Sequence, residues 1–240
     1  MRVVNKIIAS VFILILASAC ATQTLKQTEH LTAKRPDAGQ RIVVIAPDVE
    51  LSELTAGGIT VPNAEWTEKA QGLIKAELQR VMADSNANVM YAADLNKPGS
   101  ESETETQLVK LHQMVGASII LSRLQALPTK KDVFDWSLGP DATALQDEYG
   151  ADYGLFIFVR DSYSSAGRVA LNVMMAILGG PIQGGIQSGY ASLVDLSSGE
   201  IVWFNTLGRK TGDLREPAPA AETVDLLLAN FPTTVSENDG

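Results

Sequence analysis

The feature that most limits the fold is a short run, Arg41-Ile42-Val43-Val44-Ile45-Ala46-Pro47, apolar at consecutive positions and stopped by proline. Side chains alternate between the two faces of a strand, so a run without alternation is the pattern of a strand buried on both faces. From Ala64 to about Asp84, residues Trp66, Ala70, Leu73, Ile74, Leu78, Val81 and Met82 fall on one stripe at three- and four-residue spacing. Glu68, Lys69, Lys75, Gln79 and Arg80 lie outside it, which predicts an amphipathic helix. Asn88-Val89-Met90-Tyr91-Ala92 reads as a second strand. Ser102 to about Leu124 reads as a second helix, with Leu108, Leu111, Val115 and Ile119 on its apolar side. Ser102 stands three residues ahead of Glu105, as in a capping box, so Glu101, Glu103 and Glu105 are most simply a favourable helix start.

Further along, Pro128 to Gly139 is a loop containing Phe134 and Trp136, and Pro140 to Tyr149 is a short helical stretch. The clearest strand is Tyr153-Gly154-Leu155-Phe156-Ile157-Phe158-Val159, closed by the charged pair Arg160-Asp161. A hairpin follows in Tyr190 to Leu196, the turn Ser197-Ser198-Gly199, and Glu200 to Phe204. A last helix, from about Ala218 to Ala229, presents Val224, Leu227 and Leu228. This order predicts an α/β fold: a single, three-layer-like domain over residues 40–231 with a mixed β-sheet flanked by helices, and a frayed tail over 232–240.

The N-terminus addresses the chain. Arg2 and Lys6 precede the apolar run Ile7 to Leu16, and small residues Ala17-Ser18-Ala19 follow, so residues 1–19 read as a secretory signal peptide. An apolar core of about ten residues is half what a spanning helix needs. Cys20, the sole cysteine, stands directly after the small residues. Leu16-Ala17-Ser18-Ala19-Cys20 resembles the lipobox of bacterial lipoproteins, although that motif favours leucine three residues before the cysteine, where this chain has Ala17. The resemblance implies cleavage before Cys20 and acylation of its thiol, so that the lipid bilayer is held through acylated Cys20. Two or more acyl chains make stable anchoring. Ala21 follows, where an aspartate would resemble the inner-membrane retention signal, and the expected address is therefore the outer membrane, facing the periplasm. Residues 20–39 are polar, lack apolar periodicity and read as a flexible tether, with His30 a solvated residue within it.

The elements Ile42 to Pro47, Gly150 to Ile157 and Leu193-Val194-Asp195-Leu196-Ser197-Ser198-Gly199-Glu200-Ile201-Val202-Trp203 resemble a group of envelope lipoproteins. That group includes the curli secretion channel lipoprotein, the penicillin-binding-protein activator lipoproteins and related lipoproteins of unknown function. The resemblance implies an α/β sheet domain that binds other proteins, in some relatives as an oligomer, and in general without enzymatic activity.

One segment departs from the rest of the composition. Val169 to Val194 are 26 residues without a charge in a chain that is 20% charged, where about five would be expected. Val169 to Leu178 is apolar nearly all round if helical, which implies burial against protein or lipid. After Gly179-Gly180-Pro181, the spacing of Ile182, Ile186 and Tyr190 fits either a strand or a helical turn. Three readings are open: a core-filling insertion, a protein-interaction or self-association surface, and a membrane-inserting hairpin. The candidate surface comprises Val169, Leu171, Val173, Met174, Ile177, Leu178, Ile182, Ile186 and Tyr190.

No catalytic constellation is legible. Gly-x-Ser-x-Gly is absent, and His112, beside Leu111 and Val115, reads as a structural histidine rather than a base. Two histidines and one cysteine assemble no Cys/His zinc site within one chain, so no metal is expected. The glycines from 179 to 189 lack the Gly-Lys-Ser/Thr and Gly-x-Gly-x-x-Gly patterns, and no cofactor is expected. A formal charge of −9 without clustered Lys/Arg argues against nucleic acid as a partner. Asp152, Asp161 and Asp195 are the carboxylates that glycan or peptidoglycan hydrolysis would need paired in space, and Arg160 or Arg168 is a candidate surface partner for Asp161 or Asp195. The expected function is a non-enzymatic protein-binding or assembly module of the envelope. The alternatives are an oligomeric secretion-channel or pore subunit using residues 166–194, and, last, a hydrolase.

Overall fold

A computed structural model of the chain describes residues 27–29, 39–83, 87–92, 102–125, 127–130, 133–182 and 184–232. The signal peptide, Cys20, His30 and most of the C-terminal tail lie outside these residues. Eight described strands form one mixed sheet: β1 (Gln27–Glu29), β2 (Arg41–Val44), β3 (Asp48–Leu54), β4 (Thr60–Pro62), β5 (Asn88–Tyr91), β6 (Tyr153–Ser164), β7 (Gln187–Asp195) and β8 (Ile201–Arg209). The helices are α1 (Ala64–Ala83), α2 (Glu103–Leu124), α3 (Thr143–Tyr149), α4 (Ala166–Ile177) and α5 (Pro217–Leu227). The main strand order is β1-β8-β7-β6-β2-β5.

The sheet forks at its centre. β6 pairs in parallel with β2 through Tyr153 to Leu155 and then with β3 through Phe158 to Ser164. Pro47, which has no N–H to give, stands between these two partners. Beyond the break the other edge changes as well: β2 carries β5 in parallel, whereas β3 carries β4 antiparallel. A cleft of about 620 Å3 opens at the fork, lined by Ala46, Pro47, Gln71, Lys75 and Tyr91 among others.

Both faces of the sheet are covered, as the uninterrupted apolar run requires. Ile42, Val44, Leu155, Ile157 and Trp203 pack under Ala70, Ile74, Leu78 and Met82 of α1 and Val224 and Leu227 of α5. Val43, Ile45, Phe156, Tyr190 and Phe204 face the other way, against Leu108 and Ile119 of α2 and Leu145 of α3. The chain is therefore an α/β domain of three layers. Asn63 starts α1 by accepting the Trp66 N–H at 3.0 Å, and the Ser102 hydroxyl accepts the Glu105 N–H at the start of α2.

The structure departs from the sequence reading in three places. β3 and β4 were not anticipated, because Pro47 reads as the end of a strand rather than a break in one. β1 lies within the segment read as a tether and pairs antiparallel with β8, Gln27 opposite Thr206. Glu105 does not close a capping box: its side chain is buried and accepts the Tyr149 hydroxyl at 2.6 Å.

Candidate interaction surface

Helix α4 begins where the Ser165 hydroxyl accepts the Arg168 N–H at 3.1 Å. Arg168, the only charge in the helix, is its only buried residue, and its guanidinium donates to the Ala56 carbonyl in the β3–β4 turn at 3.3 Å. The helix is thereby braced against that hairpin at one end while the rest stands in solvent. Val169 is 51% exposed, Met174 59%, Ile177 80% and Leu178 73%. Leu171, Val173, Ile182 and Ile186 are exposed too, and Ile59 and Val61 of the neighbouring hairpin add to the apolar surface. The return segment is pinned at its end: Ile186 N–H donates to the Ser162 hydroxyl at 3.0 Å. A Cβ on Gly185 would stand 1.7 Å from the Ser162 carbonyl oxygen, so only glycine lets the backbone approach β6 this closely.

The core-filling reading of this segment is thus corrected for α4: it is apolar all round, yet it protrudes. Tyr190 is a second correction. It is buried on β7, stacked on Phe158 and Phe204, and its hydroxyl donates to the Gln113 carbonyl at 2.6 Å. Its ring occupies the space that a Cβ on Gly116 would need, 2.1 Å away, so Gly116 and Tyr190 together seat α2 on the sheet. The other eight candidate residues share one exposed end of the domain.

A second apolar face lies on α2, and Leu111, read from the sequence as part of the inner stripe, belongs to it instead. Leu111, Met114, Leu121 and Leu124 are exposed along it, and Leu127 and Val133 follow. The signal was present: three- and four-residue spacing holds on two sides of this helix, and only the side with Leu108 and Ile119 is buried.

At the end of the sheet from which α4 departs, a polar network ties β6, β7 and β8 to α5. The Asp161 carboxylate accepts from the Tyr163 hydroxyl and from Gln187 Nε2 at 2.7 Å. Gln187 Oε1 accepts in turn from Arg209 Nε and from the Thr223 hydroxyl at 3.0 Å. Arg209 also pairs with Glu222 at 2.7 Å. Burial pushes the Asp161 carboxyl above its ordinary range, against the downward pull of these donors. Next to the network, the Arg215 guanidinium lies over the rings of Trp66 and Tyr163, 4.6 and 4.1 Å from their centroids, and pairs with Asp213.

The expected ion pairs of Arg160 and Arg168 with Asp161 or Asp195 are not formed. Arg160 pairs with Asp48 at 2.8 Å, across the β3–β6 boundary. Asp195 accepts from the Ser197 N–H and hydroxyl at the hairpin turn, and Asp152 accepts the Arg41 N–H at 2.8 Å. Asp161 faces Gln187 in the ladder and Asp195 faces Tyr153, so the two carboxylates sit at opposite ends of β6, roughly 27 Å apart along the strand. That is too far for a glycosidase pair. His112 is buried between Phe156 and Tyr190, its Nε2 2.8 Å from the Ser192 hydroxyl, and burial lowers its pKa to about 3. It is a neutral core histidine. Among the described residues no three His, Cys, Asp or Glu side chains gather in a way that could hold a metal ion. No described helix is long and apolar enough to cross a membrane.

No family model matches the chain, and no curated protein matches it in sequence. Solved structures with a distant likeness include a PelC dodecamer from Paraburkholderia phytofirmans, at 13% identity and a TM-score of 0.44 over 89% of this chain and 100% of that one. Lipoprotein GNA1162 from Neisseria meningitidis is 17% identical with a TM-score of 0.31, over 70% of this chain and 81% of that one. The LpoB C-terminal domain from Salmonella enterica is 13% identical with a TM-score of 0.29, over 75% and 89%. At these scores no residue role is carried across.

Proposed function

We propose that the protein is a lipoprotein of the bacterial cell envelope, acylated at Cys20 and held on the outer membrane facing the periplasm, whose α/β domain works as a non-enzymatic binding module. One observation carries the reading: the longest uncharged stretch of the chain forms an exposed apolar surface, through Val169, Leu171, Val173, Met174, Ile177, Leu178, Ile182 and Ile186. Contiguous apolar surface of this kind marks contact with protein or lipid. The buried ionisable groups, by contrast, serve the fold: Asp161, Arg209 and His112 are tied to neighbouring elements. The α2 face provides a second apolar surface on another side of the domain and supports an assembly reading, since two unlike patches permit head-to-tail contacts between copies.

Metabolic labelling with palmitate tests the anchor. The parent incorporates label and Cys20→Ala does not. Photo-crosslinkers placed at Leu121 and Ile177 in cells test the binding surfaces. Adducts with an envelope protein or with a second copy from at least one of the two positions are the expected result. Absence of acyl label, or glycan cleavage by the purified chain, overturns the proposal.

A further inference from the structure

The sheet register puts the start of β1, the described residues nearest Cys20 in sequence, at the same end of the domain as the α4 surface. Asp161, Gln187 and Arg209 lie side by side across β6, β7 and β8. β6 continues past that row into α4, and the chain returns from α4 to enter β7 at Gln187. β1 pairs antiparallel with β8, from Gln27 opposite Thr206 to Glu29 opposite Phe204. It therefore runs away from the row, and the polypeptide enters it from the α4 end. Cys20 precedes Gln27 by seven residues, a reach of about 25 Å at most. β1 and β6 are three strand spacings apart, roughly 14 Å, so an acyl group on Cys20 is tethered within reach of the surface beside α4.

Resting on the anchored-lipoprotein reading, we infer that α4 and the segment returning from it lie in the bilayer surface beside the acylated Cys20 and fix how the domain faces the membrane. The chemistry agrees. Burying a charge in lipid is expensive, and this exposed surface has none apart from Arg168, which is turned into the protein. A helix of twelve residues is about 18 Å long, too short to cross a hydrocarbon core of about 30 Å, so it lies along the interface. With α4 down, Leu121 and Leu124 on α2 remain available for a protein partner.

The test uses the acylated chain in vesicles of phosphatidylethanolamine and phosphatidylglycerol. Acylation consumes the only native thiol, so Ile177→Cys carries a single free one, and Leu121→Cys on α2 serves as the reference. With an environment-sensitive dye on each, quenchers attached to lipid chains should act at least roughly twofold more strongly at 177 than at 121, and aqueous iodide in the reverse order. An acylated chain whose dye at 177 is quenched by iodide as strongly as the dye at 121 overturns the orientation while leaving the anchor intact. Protection at 177 from both quenchers, with cross-linked dimers, overturns it in favour of a second copy. A chain recovered without acyl mass on its Cys20 peptide overturns the anchor itself and the orientation with it.

Discussion

His112 gives the clearest single-residue prediction. In the unfolded chain its pKa is the ordinary value of about 6.5, whereas burial in the folded domain lowers it to about 3. Between these values the unfolded state takes up a proton that the folded state refuses, so this group's contribution to stability is complete above pH 6.5 and is lost as the pH falls towards 3. Glu105 and Asp161, raised by burial, act in the opposite sense. Comparison with His112→Gln separates the histidine from the carboxylates: the variant should lose roughly 3–5 kcal/mol of that pH dependence in urea titrations from pH 6.5 to 3. Gly116→Ala forces a methyl group into the Tyr190 ring and should cost about 1–3 kcal/mol by urea midpoint. Combining it with Tyr190→Leu should cost less than the sum of the two single changes, because the clash has then gone.

Among the elements, α4 and the polar network at the same end of the sheet should respond in opposite ways. Val173→Glu and Ile177→Glu place charges on an exposed helix and should change unfolding free energy by no more than about 0.5 kcal/mol each while weakening surface contact. Arg209→Met removes one buried donor each from Gln187 and Thr223 and leaves Glu222 without its partner, and should cost about 2–4 kcal/mol in thermal or urea unfolding. The same contrast explains what the sequence made legible. α2 is apolar on two sides and buries only one, whereas α1 and α5 follow from periodicity, and β2, β6 and the β7–β8 hairpin from their apolar runs, because their apolar faces are their buried faces. α4 does not, since apolar composition reports what a surface avoids and leaves open where it sits. β3 was hidden by Pro47 and by the charged Asp48, Glu50 and Glu53, although Val49 and Leu51 between them carried the alternation. The exposed apolar surface was legible as an uncharged stretch, but excluding Tyr190 from it required the strand register.

At the scale of the whole molecule, the proposed anchor predicts that Cys20→Ala shifts the chain from the membrane fraction to the soluble one, read by fractionation and immunoblot, because on that proposal acyl chains rather than a spanning helix hold it. The forked sheet has a consequence for the order of events in folding. β2 and β3 leave the ribosome early, yet their partner on one side is β6, with Ile42 paired to Tyr153 and Leu54 to Ser164. More than a hundred residues must follow before those ladders can close, and loop closure over such a distance slows assembly. Until then the apolar stretch Ile42 to Ile45 and the inner stripe of α1 have no sheet to rest on. The β6–β7–β8 meander, joined through nearby residues, is the part able to form first. The N-terminal third is thus a late joiner by topology despite being an early arrival in time, and in that interval it is the part of the chain most dependent on a holding chaperone.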